Sequence, residues 1–266
     1  MIRLFALIVM MWGASAAAET IRLAVTTSFE NSGLSDILLP AIAEDTGITV
    51  QLLVVGTGQA LRLGRAGDVD AILVHSRAAE EAFVAEGYGT YRREIMYNDF
   101  VLIGPADDPA GIARAQTARD ALAAIAEAGA PFVSRGDDSG THQKELALWV
   151  ASGVDPEGAW YRPVGAGMGA ALNTASAMSA YILADRASWL NFGNKRDLAL
   201  LFGGDPALFN QYAYIPVSPS RHDDVKHAAA LILEDWLTSK RAAALIDGYQ
   251  IAGEQLFTFN ATGASD

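Results

Sequence analysis

The sequence predicts an α/β protein of two lobes, and three observations carry that reading. Strand-like apolar runs alternate with helical patterns from about residue 20 onward. Turns rich in Gly, Ser and Thr stand between strand and helix. Two extended crossings lie about 110 residues apart, as in a chain that leaves one lobe and returns to it. Alternating order of this kind implies a mostly parallel sheet with helices on its faces. The chain has 266 residues, 51% of them hydrophobic, enough for one large core or two smaller ones.

The elements follow in order. Residues 21–25 (IRLAV) read as a strand, then a polar turn in which Ser32 and Gly33 open the helical 32–45 (SGLSDILLPAIAED). A strand at 48–56 (ITVQLLVVG), the turn TGQ and a short helical piece come next, then VDAILVHS (69–76), the helical 77–87 and IMYNDFVLIGP (95–105). After the loop 106–112 a second series begins, with a helix over 117–129, a strand PFVSR, a helix over 141–153, a strand YRPVG and one long helix over 169–190. The extended segment 210–218 (NQYAYIPVS) leads back to a final helical pair, 223–240 and 241–250. The expected division is a first lobe of residues 19–101 plus 214–266 and a second lobe of 102–213, with a cleft between them as the natural site.

Residues 1–18 read as a secretory signal peptide: a lone Arg3, an apolar run from Leu4 to Trp12 too short to span a bilayer, and small residues through Ala18. The mature chain is therefore expected in a bacterial periplasm, without membrane insertion. Zero cysteines leave no acyl anchor and no disulfide framework. Without Arg3 the chain carries 18 basic and 31 acidic residues, a formal charge of −13, which argues against nucleic acid and anionic membrane as partners. It does not argue against a small anion in a buried site, because distant surface charge is screened beyond roughly 10 Å.

Four turns carry candidate chemistry. Residues 134–149 (SRGDDSGTHQKELALW) set Arg135, the hydroxyls of Ser139 and Thr141, and a helix start within a few residues. Arginine offers a permanent charge and a fork of donors, and a helix start offers N–H groups with no intrahelical partner. The competing reading makes Ser139 or Thr141 a helix cap and pairs Arg135 with Asp137 or Asp138. The turn after the first strand offers Thr26, Thr27, Ser28 and Ser32, and the turn after the second offers Thr57 between Gly56 and Gly58. Each alone reads as a cap, but all three follow a strand's carboxyl end, where ligands of open α/β sheets bind. A fourth turn, VGAGMGAAL (164–172), has small residues that let backbone N–H groups approach a ligand.

Other chemistries find less support. GAGMGA fits the dinucleotide fingerprint only by shift, with Asp185 inside a helical run, and there is no P-loop. His75, His142, His222 and His227 come without G-x-S-x-G or H-E-x-x-H, so a periplasmic hydrolase is a minor alternative. His142 and Glu145 share a helix face at i, i+3 but lack further ligands at metal spacing, and no metal ion or cofactor is expected.

With these motifs assembled, nearly the whole mature chain resembles the TupA family, tungstate-binding proteins of bacterial ABC importers. The resemblance rests on VTTSFENSGLSDILLP, VVGTGQALRLGRAGDVDAILVHS, IMYNDFVLIGPADDPAGI, SRGDDSGTHQKE, GAGMGAAL and AYILADRASW. The family pattern opens its first turn with three threonines and a serine, and here Val25 stands in the first threonine's place. The resemblance implies a type II periplasmic binding protein, monomeric, that closes on tungstate or molybdate as the oxyanion and delivers it to a permease driven by an ATPase. It implies ligand contacts from Thr27 and Ser28, from Thr57 with Gly58, from Arg135 with Ser139 and Thr141, and from backbone N–H groups at Met168 and Gly169. R-x-D-x-S-G-T at 135–141 is also similar to a pattern of phosphate-binding transport proteins, which makes phosphate the rival substrate. Phosphate keeps a proton that needs an acceptor, whereas tungstate and molybdate take donors only. Asp137 or Asp138 is a candidate acceptor, and Asp137 is equally a candidate orienter of Arg135.

Overall fold

The computed structural model describes residues 19–137 and 139–262, so the expected signal peptide, Asp138 and the last four residues lie outside the described residues. The first half runs β1 (Thr20–Thr26), α1 (Thr27–Ser32), α2 (Ser35–Thr46), β2 (Thr49–Val55), α3 (Thr57–Ala66), β3 (Ala71–Val74), α4 (Arg77–Ala85) and β4 (Arg93–Pro105). The second series is α5 (Ala118–Ala128), β5 (Phe132–Ser134), α6 (Gly140–Ser152), β6 (Tyr161–Pro163), α7 (Met168–Met178), β7 (Tyr181–Asp185), α8 (Arg186–Asn191) and β8 (Leu198–Phe202). Then come β9 (Phe209–Pro216), α9 (His227–Leu237), α10 (Lys240–Asp247) and the short strands β10 (Gln250–Ile251), β11 (Glu254–Gln255) and β12 (Thr258–Phe259).

The main sheet has the order β2-β1-β3-β9-β4-β7-β5-β6. Strands β1, β2 and β3 are mutually parallel, as are β5, β6 and β7. The two sets are joined through β4 and β9, which pair antiparallel with each other. Strand β4 pairs with β9 over Arg93–Asp99 and with β7 and β8 from Phe100 onward, so one continuous strand serves both halves. Burial follows the period of two. Ile21, Leu23 and Val25 enter one core while Ala24 enters the core on the opposite face, and Phe100 and Leu102 alternate in the same way with Val101 and Ile103. A sheet apolar on both faces needs helices on both, which is the α/β arrangement expected. No helix among the described residues is long and apolar enough to cross a membrane.

Two expectations are corrected. The long helix over 169–190 is three elements: α7 stops at Ser179, whose φ of 48° is left-handed, and β7 and α8 follow. Strand β7 lies fully buried between β4 and β5, and an unbroken apolar run buried on both faces has no period that separates strand from helix. Asp185 therefore ends a strand. Ser32 and Gly33 close a helix instead of opening one: Thr26 caps α1, accepting the Phe29 amide at 3.2 Å, and Gly33 ends it at φ 77°.

Candidate anion-binding site

The strand directions bring two sets of carboxyl ends face to face. Strands β1–β3 run one way along β4 and β5–β7 run the other, so the ends meet near the middle of β4, where Asn98 pairs with Asn210 and Phe100 with Asp185. The first set delivers Thr26 and Ser28, Thr57 and His75; the second delivers Arg135, the 164–167 turn and Asp185. Asn98 and Phe100 on β4 and Asn210 and Tyr212 on β9 are buried on the two shared strands.

A chain of contacts crosses this junction. Ser28 Oγ lies 3.0 Å from Thr26 Oγ1 and 3.1 Å from His75 Nε2, and the Tyr212 hydroxyl donates to it at 3.5 Å. The His75 ring packs on Tyr212 with centroids 4.8 Å apart and on Phe100 at 6.0 Å. Opposite, the amide of Gly140 donates to Thr57 Oγ1 at 3.2 Å, tying the start of α6 to the start of α3. Gly140 sits so close that a Cβ there would fall 2.8 Å from His75 Nδ1 and 3.0 Å from Thr57 Oγ1.

Arg135 is 2% exposed. Its Nε donates to the Ala166 carbonyl at 2.7 Å and its Nη2 to Asp137 Oδ2 at 2.5 Å. Asp137 Oδ1 in turn accepts the Ser139 hydroxyl at 2.5 Å and the Ser139 amide at 3.3 Å. Both oxygens of Asp137 are thus engaged in holding Arg135 and the α6 turn, the orienting role. Arg135 and the α6 turn are held by the protein's own hydrogen bonds.

Polar atoms without protein partners gather at the same junction. Among the described residues, His75 Nδ1, Asn98 Nδ2, Thr141 Oγ1, Asp185 Oδ2, Ser188 Oγ and Asn210 Oδ1 are buried with no hydrogen bond. Leaving such groups unpaired is costly, so their concentration marks a place built for a polar occupant. Burial, with the Arg135 charge adding to it, pushes His75 down to about 3, so the imidazole is neutral at ordinary pH. Burial pushes Asp185 up to about 6, against the Ser188 amide and Arg135, and raises the Tyr212 phenol, with the Asp185 charge adding.

The candidates read from sequence do not all stand alike. Ser28, Thr57, Arg135, Ser139 and Thr141 are buried at the junction. The Ser139 hydroxyl caps α6, accepting the His142 amide at 3.1 Å while donating to Asp137, so cap and site coincide. Gly58 is buried one residue into α3. Thr27 is half-buried against the start of α7, where a Cβ on Gly167 would lie 3.6 Å from its methyl. Met168 opens α7 with its side chain in the core beside Val133 and Leu172, while Gly169 lies on the rim by Asn31, Asn191 and Phe192. Glu145 accepts from the Tyr161 hydroxyl at 2.7 Å and the Trp149 indole at 3.4 Å, while the His142 ring turns to the Asp137 carbonyl, so the two diverge. Among the described residues no group of three or more such side chains stands close enough to hold a metal ion.

His75 and Asp185 are the residues that sequence reasoning missed. The signal for His75 was present, since it follows VDAILV at a strand's carboxyl end as Thr57 follows its own strand. Asp185 was hidden by the helical reading of its strand.

Two sets of parallel strands sharing two long strands, with buried polar side chains where their carboxyl ends meet, give the architecture of a periplasmic-type binding protein. A family profile described as the PBP superfamily domain matches residues 13–241. The tungstate-binding protein TupA of Peptoclostridium acidaminophilum is 47% identical over 92% of this chain and 87% of its own length. A solved structure of the tungstate ABC transporter from Geobacter sulfurreducens is 47% identical with a TM-score of 0.82, covering 88% of this chain and 100% of that one. The tungstate-binding protein TupA from Desulfovibrio alaskensis G20 is 42% identical with a TM-score of 0.78, covering 92% and 100%. The chain belongs to the TupA family within the PBP superfamily.

Proposed function

We propose that this chain is the substrate-binding component of an ABC importer and that it captures tungstate, with molybdate beside it, as the tetrahedral oxyanion. The observation that carries the reading is the set of buried, unpartnered polar atoms on the elements that meet at the strand ends, with the buried Arg135 among those elements. The tungstate-binding names of the relatives support the choice of ion. In this reading Thr27, Ser28, Thr57 and Gly58 bind from the first lobe, Arg135, Ser139 and Thr141 from the second, and the backbone N–H groups of Met168 and Gly169 close the far side. Hydroxyl and N–H donors aimed by helix starts stabilise a dianion without water, and Arg135 supplies the one permanent cation among them.

The lobes divide as 19–101 with 214–266 and 102–213, and the two crossings act as the hinge. Residues 1–18 direct export and are cleaved, placing a monomer in the periplasm, where it meets a permease and its ATPase. Phosphate is the rival ion. The engagement of both Asp137 oxygens by Arg135 and Ser139 makes Asp137 the orienter of the cation and not the acceptor of a phosphate proton.

A hydrolase reading has one observation in its favour, the 3.1 Å contact between Ser28 and His75. An imidazole held near 3 is a poor general base, and its Nδ1 has no carboxylate to orient it, so binding without bond breaking is the better account. Titration calorimetry with tungstate, molybdate, sulfate and phosphate tests the proposal. Heat from tungstate and molybdate is expected; tight phosphate binding with no tungstate heat would overturn it. Tungstate at 100 times its Kd should stabilise the fold by about 2.7 kcal/mol.

A further inference from the structure

We propose that Asp185 stands in the ligand complex as a neutral carboxylic acid whose O–H donates to the bound oxyanion, so that capture of a dianion takes up one proton. The inference rests on the oxyanion reading above. Asp185 ends β7, is fully buried, and its Oδ1 is taken by the Ser188 amide at 2.8 Å as the cap of α8. Its Oδ2 is buried with no partner at the junction that Arg135 enters from β5. Tyr212 is close enough on β9 for its phenol to feel the Asp185 charge.

Charge balance decides the protonation state. Arg135 is already matched by Asp137 at 2.5 Å, and His75 is neutral. An ionised Asp185 would leave the pocket net negative before a dianion enters, and carboxylate and oxyanion would repel at close range in a dry site. A proton from solvent on Oδ2 removes that repulsion and converts an acceptor into the donor that the ion requires; it returns to solvent on release. Burial already pushes the carboxyl up to about 6.

The other titratable groups around Asp185 do not supply this proton at neutral pH. His75 at the end of β3 is held near 3, Tyr212 on β9 is held up as a neutral phenol, and Arg135 keeps its charge. On α6, Glu145 is turned to Tyr161 and Trp149; on α8, Arg186 pairs with Asp99 of β4; α7 carries no charged residue.

The test is calorimetric titration of the signal-free protein with sodium tungstate at about pH 7.5 in two buffers of different protonation enthalpy. Uptake of close to one proton is expected, with Kd weakening about tenfold per pH unit above neutrality. Asp185→Asn keeps the cap and offers an N–H in place of the O–H. Its uptake should fall to near zero and its Kd should lose the pH slope. An infrared difference spectrum of the unmutated protein gives a readout independent of the variant: tungstate should raise a protonated-carboxyl C=O band and bleach a carboxylate band. Tungstate heat without proton uptake, uptake that persists in D185N, or no new carboxyl band overturns the inference while leaving the oxyanion reading intact. Absence of tungstate heat in the unmutated protein overturns that reading, and this inference with it.

Discussion

Gly140→Ala separates closure of the site from stability of the fold. The added methyl would lie 2.8 Å from His75 Nδ1, 2.9 Å from His75 Cε1 and 3.0 Å from Thr57 Oγ1, and all three atoms belong to the proposed first lobe. None is the tip of a flexible chain: His75 is wedged between Tyr212 and Phe100, and Thr57 is fixed at the start of α3. Overpacking of this kind costs about 1–3 kcal/mol. On the proposed closure of the two lobes over the ion, the clash falls on the closed form alone and reads as weaker binding, roughly fivefold to somewhat over a hundredfold at 1.4 kcal/mol per tenfold. Within α6 the same change replaces Gly by a better helix former, so the open, ligand-free protein gains a few tenths of a kcal/mol or stays level. Calorimetry with tungstate, paired with urea unfolding of the ligand-free protein, reads both quantities. Kd within a factor of two of the parent, or a ligand-free fold that loses more than about 1 kcal/mol, would refute the contact as a closure contact.

Arg135→Ala removes the cation and leaves the Ala166 carbonyl and Asp137 Oδ2 without their donor; tungstate affinity should fall by about 2–5 kcal/mol in calorimetry, and an unchanged Kd would reassign Arg135 to structure. Asp185 also links ligand-free stability to pH. Its carboxyl is raised from 3.8 to about 6 in the fold, so its contribution is fully present below about 3.8 and is lost as pH rises through about 6. That interval corresponds to about 3 kcal/mol. Urea midpoints of D185N should therefore gain on those of the parent between about pH 4 and pH 6 and hold steady above, and a constant difference would show Asp185 ionising freely in the fold.

The site was half legible in the sequence, and the divide follows from local chemistry. Thr57, Arg135 and Ser139 announce themselves because hydroxyls and glycines at a helix start leave a short-range signature. The same residues act as caps and as site, as Ser139 shows by accepting from His142 while donating to Asp137, so recognising a cap does not discount a ligand role. Asp185 was illegible because its strand is recognised only by neighbours more than 40 residues away in sequence: β7 is held between β4 and β5, while its apolar run and the non-glycine stop at Ser179 imitate a continuing helix. His75 lay between these cases, its position readable from topology and its contact with Ser28 set by folding. Strand β8 was lost for a similar reason, since its place beside β4 is a long-range pairing.

The sharing of β4 and β9 by both sets of parallel strands has a mechanical consequence. The two strands are hydrogen-bonded to each other from Arg93 to Asp99, so they flex as a single ribbon and not as two independent strings. A ribbon resists sliding along its length and in its own plane but yields readily to twist and to bending across its face. The lobes and hinge proposed above would then have close to one way to part, and probes placed across Thr57 and Gly140 should separate on ligand loss while probes across Tyr97 and Gln211 keep their spacing. Restricting the open state to one path lowers the disorder surrendered on closing, so that more of each contact made with the ion is left to hold it.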